Sequence, residues 1–267
     1  MMFSSIRLSS SLAASHNVHN VVPHHPASGE PRDSPRTARV AHRSHGPGLL
    51  TAAVLTASIV LSGCSTSSNQ SLPTRSPAPS GSTGASGSQD VHFTVGYAGD
   101  VLMHMPVMES TPGASGDITD NVAAETPWVE GLDLALCGME VPVAPDGVYS
   151  GYPAFGTSSE VIGALARSGW DGCATASNHA ADRGEAGVVA TLDALDAHGL
   201  GHAGTYRSPE DASVPFALYE LERGGRTVTV AQISTTKDLN GLDDPTGYSV
   251  SLNDVGAITK AAKSARA

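Results

Sequence analysis

From Val91 onward the chain alternates short apolar runs with stretches of helical periodicity. VHFTVGYA (91–98), LDLALC (132–137) and GCATAS (172–177) are mostly apolar, the pattern of parallel strands buried on both faces. Ser158 to Ser168 (SSEVIGALARS) has a capping serine, an early glutamate and apolar residues at helical spacing. Glu185 to His198 repeats the pattern with Val188, Leu192 and Leu195 on one stripe, and Gly199 supplies a stop. A short strand around His202 to Thr205 follows. Strand, helix, strand, helix, strand implies right-handed crossovers and an α/β sheet. Phe216 to Glu222 and Thr227 to Ile233 flank Arg223-Gly224-Gly225-Arg226, whose paired glycines suit a tight hairpin turn. Ser251 to Ala267 reads as a last amphipathic helix.

The residues before Val91 follow another logic. Positions 1–47 are rich in His, Ser, Pro and Arg, and Leu49 to Leu61 form an apolar run of signal-peptide length, too short to span a bilayer. The run ends in Leu61-Ser62-Gly63-Cys64, which resembles the lipobox of bacterial lipoproteins, with Cys64 as the lipidated residue. The plainer alternative is an ordinary signal peptide with an incidental cysteine. Residues 1–64 are therefore assigned to a leader and lipoprotein signal peptide. A translation start near Val40, ahead of a conventional basic segment, would make residues 1–39 an over-called extension. Residues 65–90 read as a Ser/Gly/Pro tether. The domain is expected outside the cytoplasmic membrane, held to it through lipid.

Charge narrows the partners. The 267 residues carry 15 basic and 26 acidic side chains, for a net charge of −11. Beyond Cys64 the balance is 10 basic against 24 acidic, or −14. Such a surface, without Lys/Arg clusters, argues against nucleic acid as a partner. Cys137 and Cys173 sit in apolar runs; two buried thiols are the favoured reading, and a disulfide between neighbouring strands is left open.

Three polar clusters stand where strands stop: Gly99-Asp100, Glu140, and Ser177-Asn178-His179. In an open α/β sheet the loops after the carboxyl ends of parallel strands form the ligand crevice. Asp100, Glu140 and Asn178 would converge there and offer oxygen ligands to divalent cations, while His179 could pass a proton to a leaving group. His104 is a ligand or a donor behind one, and Asp182 orients the Asn-His loop. Each has a duller alternative: an Asx turn at Asp100, a solvated charge at Glu140, a helix cap at Asn178-His179. His92, His198 and His202 read as surface or strand-edge residues.

The blocks VGYAGDVLMHMPV, DLALCGMEVPV and GWDGCATASNHAADRGEAGVVATLDALDAHGLGHAGT resemble the CapA family of bacterial capsule or poly-γ-glutamate synthesis proteins, within the calcineurin-like metallophosphoesterase superfamily. The resemblance implies a sandwich of mixed sheets flanked by helices, with two divalent metals (Mn, Fe, Zn or Mg) at the strand ends. It implies Asp100, Glu140 and Asn178 as metal ligands, His104 less securely, and His179 as the group assisting the leaving group. Gly138 departs from the family pattern, which commonly has Asn at that place. The superfamily also takes later histidine ligands, which do not appear before Ala267. Residues 91–267 are therefore expected to form the N-terminal portion of a CapA-like domain, with weak metal affinity and little activity alone.

Two functions follow. One is an exported, membrane-anchored, metal-dependent hydrolase in capsule or envelope polymer assembly. The other is a non-catalytic accessory lipoprotein that binds the polymer or a synthase component. A solute-binding lipoprotein is a third reading that leaves the Asn-His cluster unexplained.

Overall fold

A computed structural model describes residues 2–8, 39–40 and 90–266. In chain order the elements are strands β1 (Met2–Leu8), β2 (Arg39–Val40) and β3 (Val91–Val101), helices α1 (Met105–Ser110) and α2 (Thr126–Glu130), and strand β4 (Leu134–Met139). Then come α3 (Glu160–Arg167), β5 (Gly172–Ala174), α4 (Gly184–Ala197), β6 (Gly201–Ala203), α5 (Pro209–Ala212), β7 (Ala217–Arg223), β8 (Arg226–Gln232) and α6 (Val255–Ala265).

The alternation read from the sequence produces a four-stranded parallel sheet, β3-β4-β5-β6, with β1 antiparallel along its outer edge. A second, antiparallel sheet has the order β2-β7-β8. The sequence reading assigns the residues of β1 and β2 to the leader; here they pair with β3 and β7. Cys64 and the tether as far as residue 89 lie outside the described residues. Among the described residues no helix is long and apolar enough to cross a membrane.

β4 is buried at every position, and its side chains split between two cores. Leu134 and Leu136 pack with Phe93, Tyr219 and Leu221 against the antiparallel sheet. Cys137 and Met139 turn the other way, to Val161, Ile162 and Leu165 of α3 and Val188, Leu192 and Leu195 of α4. This period of two gives three layers: helices, parallel sheet, antiparallel sheet. Each fully buried aliphatic side chain contributes about 1.5–3 kcal/mol.

Close approach between the sheets depends on two glycines. The hydroxyl end of Tyr219 lies over Gly172 and Gly201, where a Cβ on Gly201 would meet the phenol oxygen at 2.6 Å. That hydroxyl donates to Gln232 Oε1 at 2.8 Å. Burial raises the Tyr219 pKa, with the Asp171 charge adding to the shift, so the phenol stays a donor.

Local chemistry sets the boundaries. Gly224 and Gly225, at φ 57° and 69°, make the primed turn between β7 and β8. Gly199 at φ 70° ends α4, and Asp254 caps α6 by accepting from the Ala257 N–H at 2.6 Å. Parallel pairing sets Cys137 beside Cys173 with Cα atoms 4.4 Å apart, and the two form a disulfide. The preference for two free thiols is thereby corrected: spacing along the chain carried no register, and register is what brings the sulfurs together.

Candidate functional site at the strand ends

β3 approaches the crevice through an irregularity. Its register with β4 shifts between Ala98 and Val101, and Asp100 adopts a left-handed backbone at φ 56°. Bulges re-aim side chains, and Asp tolerates this conformation better than most residues. Asp100 borders a cleft of about 560 Å³ between the end of β3 and the segment bearing α1 and α2, with Val101, Met103, Ile118 and Val122 among its walls.

Glu140 follows directly on β4. The turn after β5 is tied to it through Ser177, whose hydroxyl donates to the Glu140 carbonyl at 2.5 Å and accepts from the His179 N–H at 3.1 Å. The second and third sequence clusters are thus one hydrogen-bonded unit.

The Glu140 side chain is half-buried, and its Oε2 is fully enclosed without a hydrogen-bond partner. Desolvation raises its pKa and the Asp100 charge adds to that, whereas His179 and His104 pull it down and Asp182 pushes it up again. Asp100, His104, His179 and Asp182 therefore share an electrostatic neighbourhood with Glu140. A buried carboxylate oxygen with no partner is costly unless something cationic satisfies it.

His179 is buried, and its Nδ1 lies 2.8 Å from Asp182 Oδ2, with side-chain exposures of 11% and 3%. The same oxygen accepts the Phe155 N–H at 2.7 Å. Asp182 Oδ2, which meets both the Phe155 N–H and Nδ1, orients the imidazole and leaves Nε2 for chemistry. Phe155 stands between the two imidazoles, edge-on to each, with ring centroids 4.9 Å from His104 and 4.7 Å from His179.

Several contributors escaped the sequence reading. Arg183 pins the loop that carries Phe155, donating through Nε to the Phe155 carbonyl at 3.2 Å and through Nη2 to the Val148 carbonyl at 2.6 Å and Ser150 Oγ at 2.7 Å. Tyr97 brings its phenol beside Asp100 and Glu140; burial and then those two charges raise its pKa. Asn240, in the loop after β8, reaches back to Asn178 and His179. Only the NHAAD spacing of His179 and Asp182 announced its pairing in advance. His198 and His202 lie elsewhere: His202 Nε2 pairs with Asp196 at 3.1 Å, and the His198 ring lies against Gly163 of α3.

In kind, Asp100, Glu140, Asn178 and His104 suit a hard or borderline divalent cation. The enclosed Glu140 Oε2 is the atom such an ion would satisfy. In placement, no three His, Cys, Asp or Glu side chains among the described residues close on a common point. The donors line the strand ends as a shelf without closing on one point.

The model of a family described as bacterial capsule synthesis protein PGA_cap matches residues 94–266. No curated protein gives a significant match.

Proposed function

Since this chain belongs to the bacterial capsule synthesis protein family, we propose that it works in capsule or cell-envelope polymer assembly as an exported lipoprotein whose strand-end shelf is a divalent-metal-dependent hydrolase site. The observation that carries the proposal is the enclosed, unpartnered Oε2 of Glu140, set among Asp100, His104 and His179. A cation there converts a costly buried carboxylate into a ligand.

Asp100 and Glu140 would supply the anionic oxygens, with Asn178 and His104 completing the donor set for two ions, Mn, Fe, Zn or Mg. When bound, such ions neutralise charge on a phosphoryl or acyl oxygen and orient it for attack. The protein's own residues do the rest. Asp182 accepts from Nδ1 of His179 and steadies the cationic, doubly protonated ring, which gives its Nε2 proton to the leaving oxygen and is left neutral with its remaining proton on Nδ1. Phe155 walls both imidazoles from solvent on one side and limits how they tilt.

Manganese-dependent turnover of an aryl phosphate by the full-length chain tests this. Activity lost on Asp100→Asn and on His179→Ala supports the hydrolase. A second reading, a non-catalytic accessory lipoprotein that binds the polymer or a synthase component, draws on the described residues holding no three His, Cys, Asp or Glu side chains close enough to share an ion; capsule assembly that survives both substitutions would favour it. Anchoring through Cys64 is checked separately: Cys64→Ala should abolish incorporation of labelled fatty acid and release the chain from membranes.

A further inference from the structure

Asn240 lies 62 residues beyond Asn178 in a loop with no regular structure, yet three features single it out. Its backbone is left-handed at φ 55°. Its Oδ1 accepts from Asn178 Nδ2 at 3.3 Å. Its Nδ2 stands 3.4 Å from both ring nitrogens of His179, facing the imidazole between them rather than lying in line with either. The loop itself is anchored: the Asn240 N–H donates to Asp238 Oδ1 at 3.1 Å, and Leu239 packs against Ala180 and Ala181 directly after the histidine.

An asparagine amide has two ends, and only the oxygen ligates a hard cation. Whatever engages the nitrogen decides where the oxygen points. We infer that Asn240 is a positioning residue for the Asn178-His179 pair: its carbonyl holds the nitrogen end of Asn178 so that the oxygen end is free for a cation, and its amide braces the imidazole. This rests on the reading of Asn178 as a metal ligand. Partners that orient metal ligands in this way are commonly worth 10- to 100-fold in affinity.

Asn240→Gly is the informative variant, because glycine adopts φ 55° at no steric cost and so preserves the loop while deleting the amide. Asn240→Asp is its counterpart and keeps the acceptor. The experiment uses the full-length, ¹⁵N-labelled chain and follows the Asn178 side-chain amide resonances, assigned by their loss in Asn178→Asp. It also measures the dissociation constant for manganese. Asn240→Gly should move the Asn178 resonances, leave thermal unfolding near that of the parent, and weaken manganese about 10- to 100-fold. Asn240→Asp should keep the Asn178 resonances close to their parent positions. Unmoved Asn178 resonances in Asn240→Gly overturn the inference, as does unchanged affinity in a chain that binds manganese. Should the parent chain bind no manganese while the glycine variant still shifts Asn178, the hydrogen-bond tether stands and the metal reading falls.

Discussion

The hydroxyl of Tyr97 occupies the space beside Gly138 in which a side chain would begin: a Cβ on Gly138 would stand 2.6 Å from the phenol oxygen. Gly138 lies two residues before Glu140, where the CapA pattern commonly places an asparagine. Here the polar atom at that place comes from the neighbouring strand instead. Gly138→Ala should therefore push the Tyr97 ring outward and cost about 1 kcal/mol, at the low end for overpacking because Tyr97 is 43% exposed and can swing. In a Tyr97→Phe background the penalty should shrink. Urea denaturation of the four proteins gives the coupling directly.

Glu140 carries a pH signature. Its folded-state pKa is raised, so the protonated form favours the fold. That stabilisation is complete below the unfolded carboxylate value and is lost as pH rises through the folded one. In chelator-treated protein, Glu140→Gln should raise the unfolding midpoint at pH 7, with the difference from the parent vanishing at pH 4 and below. The same variant should lose the stabilisation that added manganese gives the parent. Thermal melts across pH, with and without metal, test both halves.

The Cys137–Cys173 disulfide joins the strands that lead to Glu140 and to Asn178. With a sequence separation of 36, loop-closure entropy predicts a stabilisation on the order of 3–4 kcal/mol. Reductant, or a Cys137→Ala/Cys173→Ala pair, should lower the denaturation midpoint accordingly. Two unmodified thiols titrating in the unfolded, non-reduced chain would contradict the bond.

Asp182→Asn keeps the shape but changes what each atom offers. The single oxygen that serves both the Phe155 N–H and His179 Nδ1 becomes a neutral amide oxygen, so both bonds can persist while the negative charge beside the imidazole is lost. The positive charge that the ring carries during proton transfer then has no counter-charge at Nδ1. Turnover of an aryl phosphate should fall by at least about 10- to 100-fold, with a smaller change in KM than in kcat. Steady-state kinetics separate the two.

Strands β3, β4 and β5 and helices α3 and α4 were legible because each announces itself locally: buried runs in the strands, helical stripes in α3 and α4, a glycine stop at Gly199. The strand-end clusters were legible for the same reason, since the sheet topology then delivers Asp100, Glu140 and Asn178 to one edge. What escaped were relations made only by packing. Phe155 meets His104 and His179 from a loop whose sequence carries no period, and Asn240 returns from beyond the hairpin. The disulfide escaped because chain spacing says nothing about which residues of neighbouring strands lie opposite. Short α1 and α2, each with a proline in its first turn, follow chain direction more than amphipathicity.

Phe155 gives the site an unusual kind of interdependence. One ring is the shared wall of two imidazoles, its backbone N–H holds Asp182, and its carbonyl is gripped by Arg183. The loop that bears it therefore ties together groups drawn from two other stretches of chain, His104 and residues 179–183. A substitution at Phe155 therefore cannot act on one of these groups alone, because the same residue meets both histidines and Asp182 at once.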